Sequence, residues 1–198
     1  MLITRLAKIV MVLILAVFCL LVAFDNLTDY ATNYLFVQHV LSMDTTFPGN
    51  SLMYRSIINP IAWQVAYALI IAAEAATGVL LLAGAVRLWQ AREASGTDFN
   101  RAKDYAVAGS ALAFLVWFFG FMVVAGEWFA MWESQTWNGQ EAAFRFVLVI
   151  LAVLIFLNQT DPDVAGTVAA RRPLPKRRRR AATSACSVPE PLARFLEA

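Results

Sequence analysis

Histidine and cysteine are nearly missing from this chain, and their scarcity removes several chemistries at once. His39 is the single histidine, and Cys19 and Cys186 are the two cysteines. A membrane b-type haem needs two axial ligands from facing elements. His39 and Met43 lie one turn apart on one predicted helix and cannot bracket a haem. Zinc and iron centres take several His or Cys ligands, so neither a metal nor a cofactor is expected. A nucleophilic triad drawn from Ser42 or Ser51 with His39 has no support in spacing. Cys19 falls inside an apolar run and Cys186 in a basic tail, so no disulfide framework exists. Glycine-rich phosphate loops and metalloprotease histidine pairs are absent too. Charge is sparse, at 15% of residues.

What the chain does have is apolar sequence. Hydrophobic residues make up 60% of its 198 positions, and the mean hydropathy is +0.62. They gather into four runs, at about 7–24, 60–86, 105–125 and 142–157. A helix needs about 20 such residues to cross the hydrocarbon core, and lipid leaves backbone groups no other local partner. The expected fold class is therefore all-α: a polytopic membrane protein built as an antiparallel four-helix transmembrane bundle. Residues 1–160 form the membrane domain. Residues 161–198 are read as a basic, disordered tail, kept from packing by Pro173, Pro175, Pro189 and Pro191. The first run is expected to be retained rather than cleaved, because bulky Phe18 sits where a lipoprotein box needs a small residue.

The cations set an orientation. All of the 16 Lys and Arg residues except Arg55 and Arg145 flank the spans on one side. Positive-inside bias then places both termini in the cytoplasm. Lys176, Arg177, Arg178, Arg179 and Arg180 form a run that suits anionic lipid at the membrane surface; nucleic acid is not expected as a partner. The connection 87–104 reads as a plain charged loop.

The long outer connection carries the most individual sequence. Leu27, Tyr30, Ala31, Tyr34, Leu35 and Gln38 recur at helical spacing, predicting an amphipathic interfacial helix from Thr28 to about Met43. Phe47-Pro-Gly-Asn50 signals a turn, and Asn59-Pro60 a capped helix start. Trp128, Trp132 and Trp137 suit an interfacial belt. Asn138-Gly-Gln-Glu141 resembles a capping box, with Glu141 one turn from Arg145. Small residues at Ala72/Ala76, Ala75/Gly78, Gly109/Ala113 and Gly120 offer close helix contacts.

Glu74 is the sharpest candidate for function, because an ionisable residue midway along a span is costly and defaults to a functional hypothesis. A matched depth suggests Trp117 as its partner, through an indole N–H bond. Asp29, Asn33, His39 and Asp44 make the first outer segment polar and are further candidates for a functional or interhelical role. Tyr30, Tyr34, Trp128 and Trp132 form a candidate partner surface.

The stretch from Asn26 to Phe47, with Gly126-Glu-Trp-Phe-Ala-Met-Trp132 and Gly139-Gln-Glu141, resembles a bacterial family of predicted small integral membrane proteins of unknown function. The resemblance covers about residues 1–160 and implies four spans in a bacterial cytoplasmic membrane. It brings no catalytic residues. The leading expectation is a non-enzymatic accessory or scaffold subunit, in contact with lipid and with a membrane complex or another copy. The alternatives are a transport or binding protein for a proton, a lipid-like molecule or a quinone using Glu74, and, more weakly, an enzyme with an outer-face site at His39 and Asp44.

Overall fold

A computed structural model of the chain describes residues 1–164. The Lys176–Arg180 run and most of the expected tail lie outside them. Within them are helices α1 (Leu2–Thr28), α2 (Tyr30–Ser42), α3 (Pro60–Gln90), α4 (Gly96–Arg101), α5 (Asp104–Phe114) and α6 (Gln140–Asn158). From Leu115 to Trp128, α5 continues as a π-helix. Four helical stretches are long and apolar enough to cross a membrane: α1, α3, α4 through the π segment, and α6. All-helical class and four spans both follow the sequence reading.

Local sequence explains the ends. The Asn59 side chain accepts from the Ile61 N–H at 2.9 Å, with Pro60 in the first turn where its missing N–H costs nothing. At 31 residues, α3 is about 46 Å long and overshoots the hydrocarbon core. Asp29 interrupts α1 and α2, with its carbonyl accepting from the backbone and side-chain amides of Asn33. Asn33 and Asp29 thus fasten a helix joint. Met43 closes α2 in the left-handed region at φ 55°, which turns the chain toward the Phe47–Asn50 turn.

Apolar side chains gain nothing by leaving lipid for a protein core, so close backbone approach has to hold such a bundle. Gly78 meets Leu20 of α1, and Gly109 meets Leu81 of α3. A Cβ added at Gly84 would lie 2.5 Å from the Ala106 backbone nitrogen. Of the small pairs expected, Ala72/Ala76 faces outward, and Gly120 has nothing within 4 Å of a built Cβ.

The connection 87–104 is not a plain loop. It folds into α4, which Ser95 opens by accepting from the Asp98 N–H. The reason lies in a buried ionic clasp at the end that carries the N-terminus. Lys8 and Lys103 each place Nζ 2.6 Å from Asp161 Oδ2, and both also donate to the Gln159 carbonyl. Arg5 donates to the carbonyls of Arg92, Ala94 and Pro162, with its guanidinium 4.5 Å over the Phe99 ring. Arg5 is wholly buried and Lys8 nearly so. Burial pushes the Asp161 carboxyl up, but the hydrogen bonds and charges of Lys103 and Lys8 outweigh it and hold the group below the usual carboxylate range. The sequence places these cations as flanks that set the orientation and Asp161 at the start of the tail. In the structure they join the start of α1, the α4 region and the segment after α6.

Candidate functional site: an apolar groove beside a strap

Glu74 is 2% exposed on α3, facing α1. Its carboxylate accepts from the Asn26 side-chain amide at 2.7 Å, and Tyr67 donates its hydroxyl to the Asn26 carbonyl at 2.7 Å. The Tyr30 and Tyr34 rings meet Tyr67 edge-on at 4.8 and 6.1 Å. The structure thus gives Glu74 an amide partner from α1. Trp117 lies elsewhere, with its ring 5.7 Å from Phe18 and 6.1 Å from Phe146.

His39 Nδ1 lies 2.9 Å from both Asp44 carboxylate oxygens, and its ring stacks on Trp137 at 4.7 Å. A carboxylate acceptor selects the Nδ1–H tautomer. The Ser42 hydroxyl donates to the His39 backbone carbonyl. Nearby, Glu133 accepts from the Phe47 N–H and the Asn50 amide, and the Thr45 and Ser134 hydroxyls meet at 2.8 Å. These bonds sew the first long connection to the Trp-bearing second one. Trp128 and Trp132 are half exposed. Glu141 and Arg145 form the expected pair, but the expected capping box is not formed: Gly139 is the N-cap, and Asn138 Oδ1 accepts from the Gln140 N–H just ahead of it.

Between α2, α3 and the π segment runs a groove of about 410 Å³, walled by apolar side chains. Phe36, Val37, Val40 and Leu41 come from α2. Ala66, Leu69, Ile70 and Ala73 come from α3, at i, i+3, i+4 and i+7, one face of an α-helix. The third wall repeats differently. Val116 and Phe121, Phe119 and Val124, Gly120 and Ala125, and Val124 and Phe129 are each five apart. That spacing is the π-helical i to i+5 repeat, seen also in the Phe129 N–H bond to the Val124 carbonyl. Gly120 contributes no side chain and leaves its stretch of wall open. Exposed Leu69 and Phe119 mark the flank on which the groove opens.

A strap, residues 52–57, lies beside the groove and is hydrogen-bonded to α2, α3 and the end of the π segment. The Ile57 N–H donates to the Leu41 carbonyl of α2 at 2.7 Å. The Trp63 indole of α3 donates to the Ile57 carbonyl at 2.6 Å. Arg55 donates to the Trp128 carbonyl at the end of the π segment, at 3.3 Å. Leu52 and Ile57 pack against a buried cluster of Val40, Met43, Phe129, Ala130 and Met131.

Residues 4–160, the whole bundle up to its closing clasp, match a family described as predicted small integral membrane protein (DUF2165). The chain belongs to that family. Searches of curated proteins and of solved structures returned no match. Family membership agrees with the four spans and places the chain against the lipid bilayer. Sequence reasoning named Glu74 and a helix in the first outer connection as candidates. It missed the groove, whose one sequence signal is Gly120 within an aromatic run.

Proposed function

We propose that this protein is a non-enzymatic membrane binding protein that holds one apolar, lipid-like molecule in the groove between α2, α3 and the π segment. The groove itself carries the reading. Its volume falls within the roughly 300–1,000 Å³ of small-molecule sites, which are concave and mostly apolar. Native mass spectrometry after mild detergent extraction tests it. Wild-type protein is expected to retain a lipid-mass adduct, and Gly120→Leu to lose it. Nothing within 4 Å opposes a side chain at Gly120, and losing a helical glycine gains about 0.5–1 kcal/mol, so the variant should fold at normal yield. Equal adduct in both proteins overturns the proposal. A protein-mass adduct would instead favour the accessory or scaffold role, with a foreign helix in the groove.

The Glu74 network favours a second reading, a proton-accepting site on the α1–α3 face. An enclosed carboxyl beside Asn26 and Tyr67 is the kind of intramembrane group that proton relays use. Glu74→Gln keeps an acceptor for the Asn26 amide and is expected to accumulate normally. Glu74→Leu strands that donor and should cost about 1–3 kcal/mol in detergent thermal unfolding. If liposomes holding wild type and Glu74→Gln take up protons equally, the second reading falls.

A further inference from the structure

We infer that the groove selects a net-anionic phospholipid, with one acyl chain between α2, α3 and the π segment and the phosphate on Arg55 at the strap. This deepens the proposed function and rests on it, and the observations that carry it concern Arg55.

Cations are rare at this end of the molecule. Arg55, in the connection from α1 to α3, and Arg145, near the start of α6, are the two. Arg145 is paired with Glu141. Arg55 forms no ion pair among the described residues, and exposed Glu127, adjacent to Trp128, makes none with it. A guanidinium has five N–H donors. Two are engaged here: Nε donates to the Tyr54 hydroxyl at 3.2 Å, and Nη1 to the Trp128 carbonyl at 3.3 Å. The Nη2 amino group is left to donate outward, together with the second Nη1 proton.

The side chain is also held in place. Its guanidinium carbon sits 4.8 Å over the Trp128 ring and 5.4 Å over the Tyr54 ring. Two aromatic faces and two hydrogen bonds fix the plane of the fork before any ligand arrives, which lowers the ordering cost of binding. Its position is at the rim. Trp128, which it touches through the carbonyl and ring, immediately precedes groove-lining Phe129. Ile57, two residues along the strap, is bonded to groove-lining Leu41. An apolar slot with a preset guanidinium near its rim matches an amphiphile with an anionic head. A phosphate suits it, because its oxygens accept two parallel N–H bonds from one fork, and a head with no ammonium of its own keeps the full attraction to the guanidinium.

The test uses the full chain carrying K176Q, R177Q, R178Q, R179Q and R180Q. This keeps the tail from recruiting anionic lipid by itself. The protein is incubated with equal phosphatidylglycerol and phosphatidylcholine of identical acyl chains, and the adducts are compared by native mass spectrometry. The expected preference for phosphatidylglycerol is about fivefold, in line with one basic residue at a membrane surface. Arg55→Gln should remove the preference while keeping total adduct. Arg55→Lys should keep the preference, because the positive charge that sets it remains. An Arg55→Gln protein with unchanged preference overturns the inference and leaves the groove proposal standing. Failure of Gly120→Leu to reduce either adduct overturns both. A second copy of the chain or another protein as the adduct overturns the lipid assignment.

Discussion

Asp161→Ala is expected to destabilise the bundle by about 3–5 kcal/mol, the usual cost of removing one partner from a buried ion pair. Lys8 and Lys103 would lose their shared carboxylate while staying inside the protein. Thermal unfolding in detergent, followed by retention of a monodisperse peak, measures the effect. A triple variant, Lys8→Met with Lys103→Met and Asp161→Leu, should recover most of it, because removing all three charges leaves none unpaired. The same site fixes a pH dependence. Asp161 titrates below its unfolded value, so its contribution is present above the unfolded carboxyl value near 3.9 and is lost as pH falls through the lower folded value. Acid unfolding should therefore show this group, and Asp161→Asn should flatten that acid limb. An unchanged thermal midpoint in Asp161→Ala would show that the clasp does not hold the bundle.

Gly84→Val should be nearly as damaging. Even a Cβ at this position lies 2.5 Å from the Ala106 nitrogen and 2.7 Å from its Cα. Both are backbone atoms, so no side chain can rotate aside and α3 must move away from α5. Overpacking of this kind costs about 1–3 kcal/mol and sometimes more. The separation would reach Leu81 at Gly109, one layer along the same contact. The same substitution at Gly120, where no atom lies within 4 Å, serves as the control. Comparable melting of the two variants would contradict the close-approach account.

The spans and their capped starts were legible because they follow from local rules. Runs of apolar residues report lipid, and Asn59-Pro60 reports a helix start wherever the helix goes. Charge position reported less than it seemed to. It separates two ends of a bundle but does not distinguish a solvated lysine from a buried one. Lys8 and Asp161 are 153 residues apart, and neither carries a local mark of the other. Glu74 was visible as an ionisable residue in an apolar run, yet depth matching named Trp117 where Asn26 is the partner. The end of α1 passes beside Glu74, and only the packed arrangement reveals that. The groove was hidden for a further reason. Counting by 3.6 residues assigns the wrong neighbours along Leu115–Trp128, where the turns are wider and the hydrogen bonds run from i to i+5.

The clasp also imposes an order on biogenesis. Lys8 emerges from the ribosome near the beginning of synthesis and Lys103 midway, whereas their common counter-ion is translated only after α6. Until then both ammonium groups depend on water or lipid headgroups for compensation. The final span therefore does more than add a fourth helix, since its arrival delivers the anion that the first and third share.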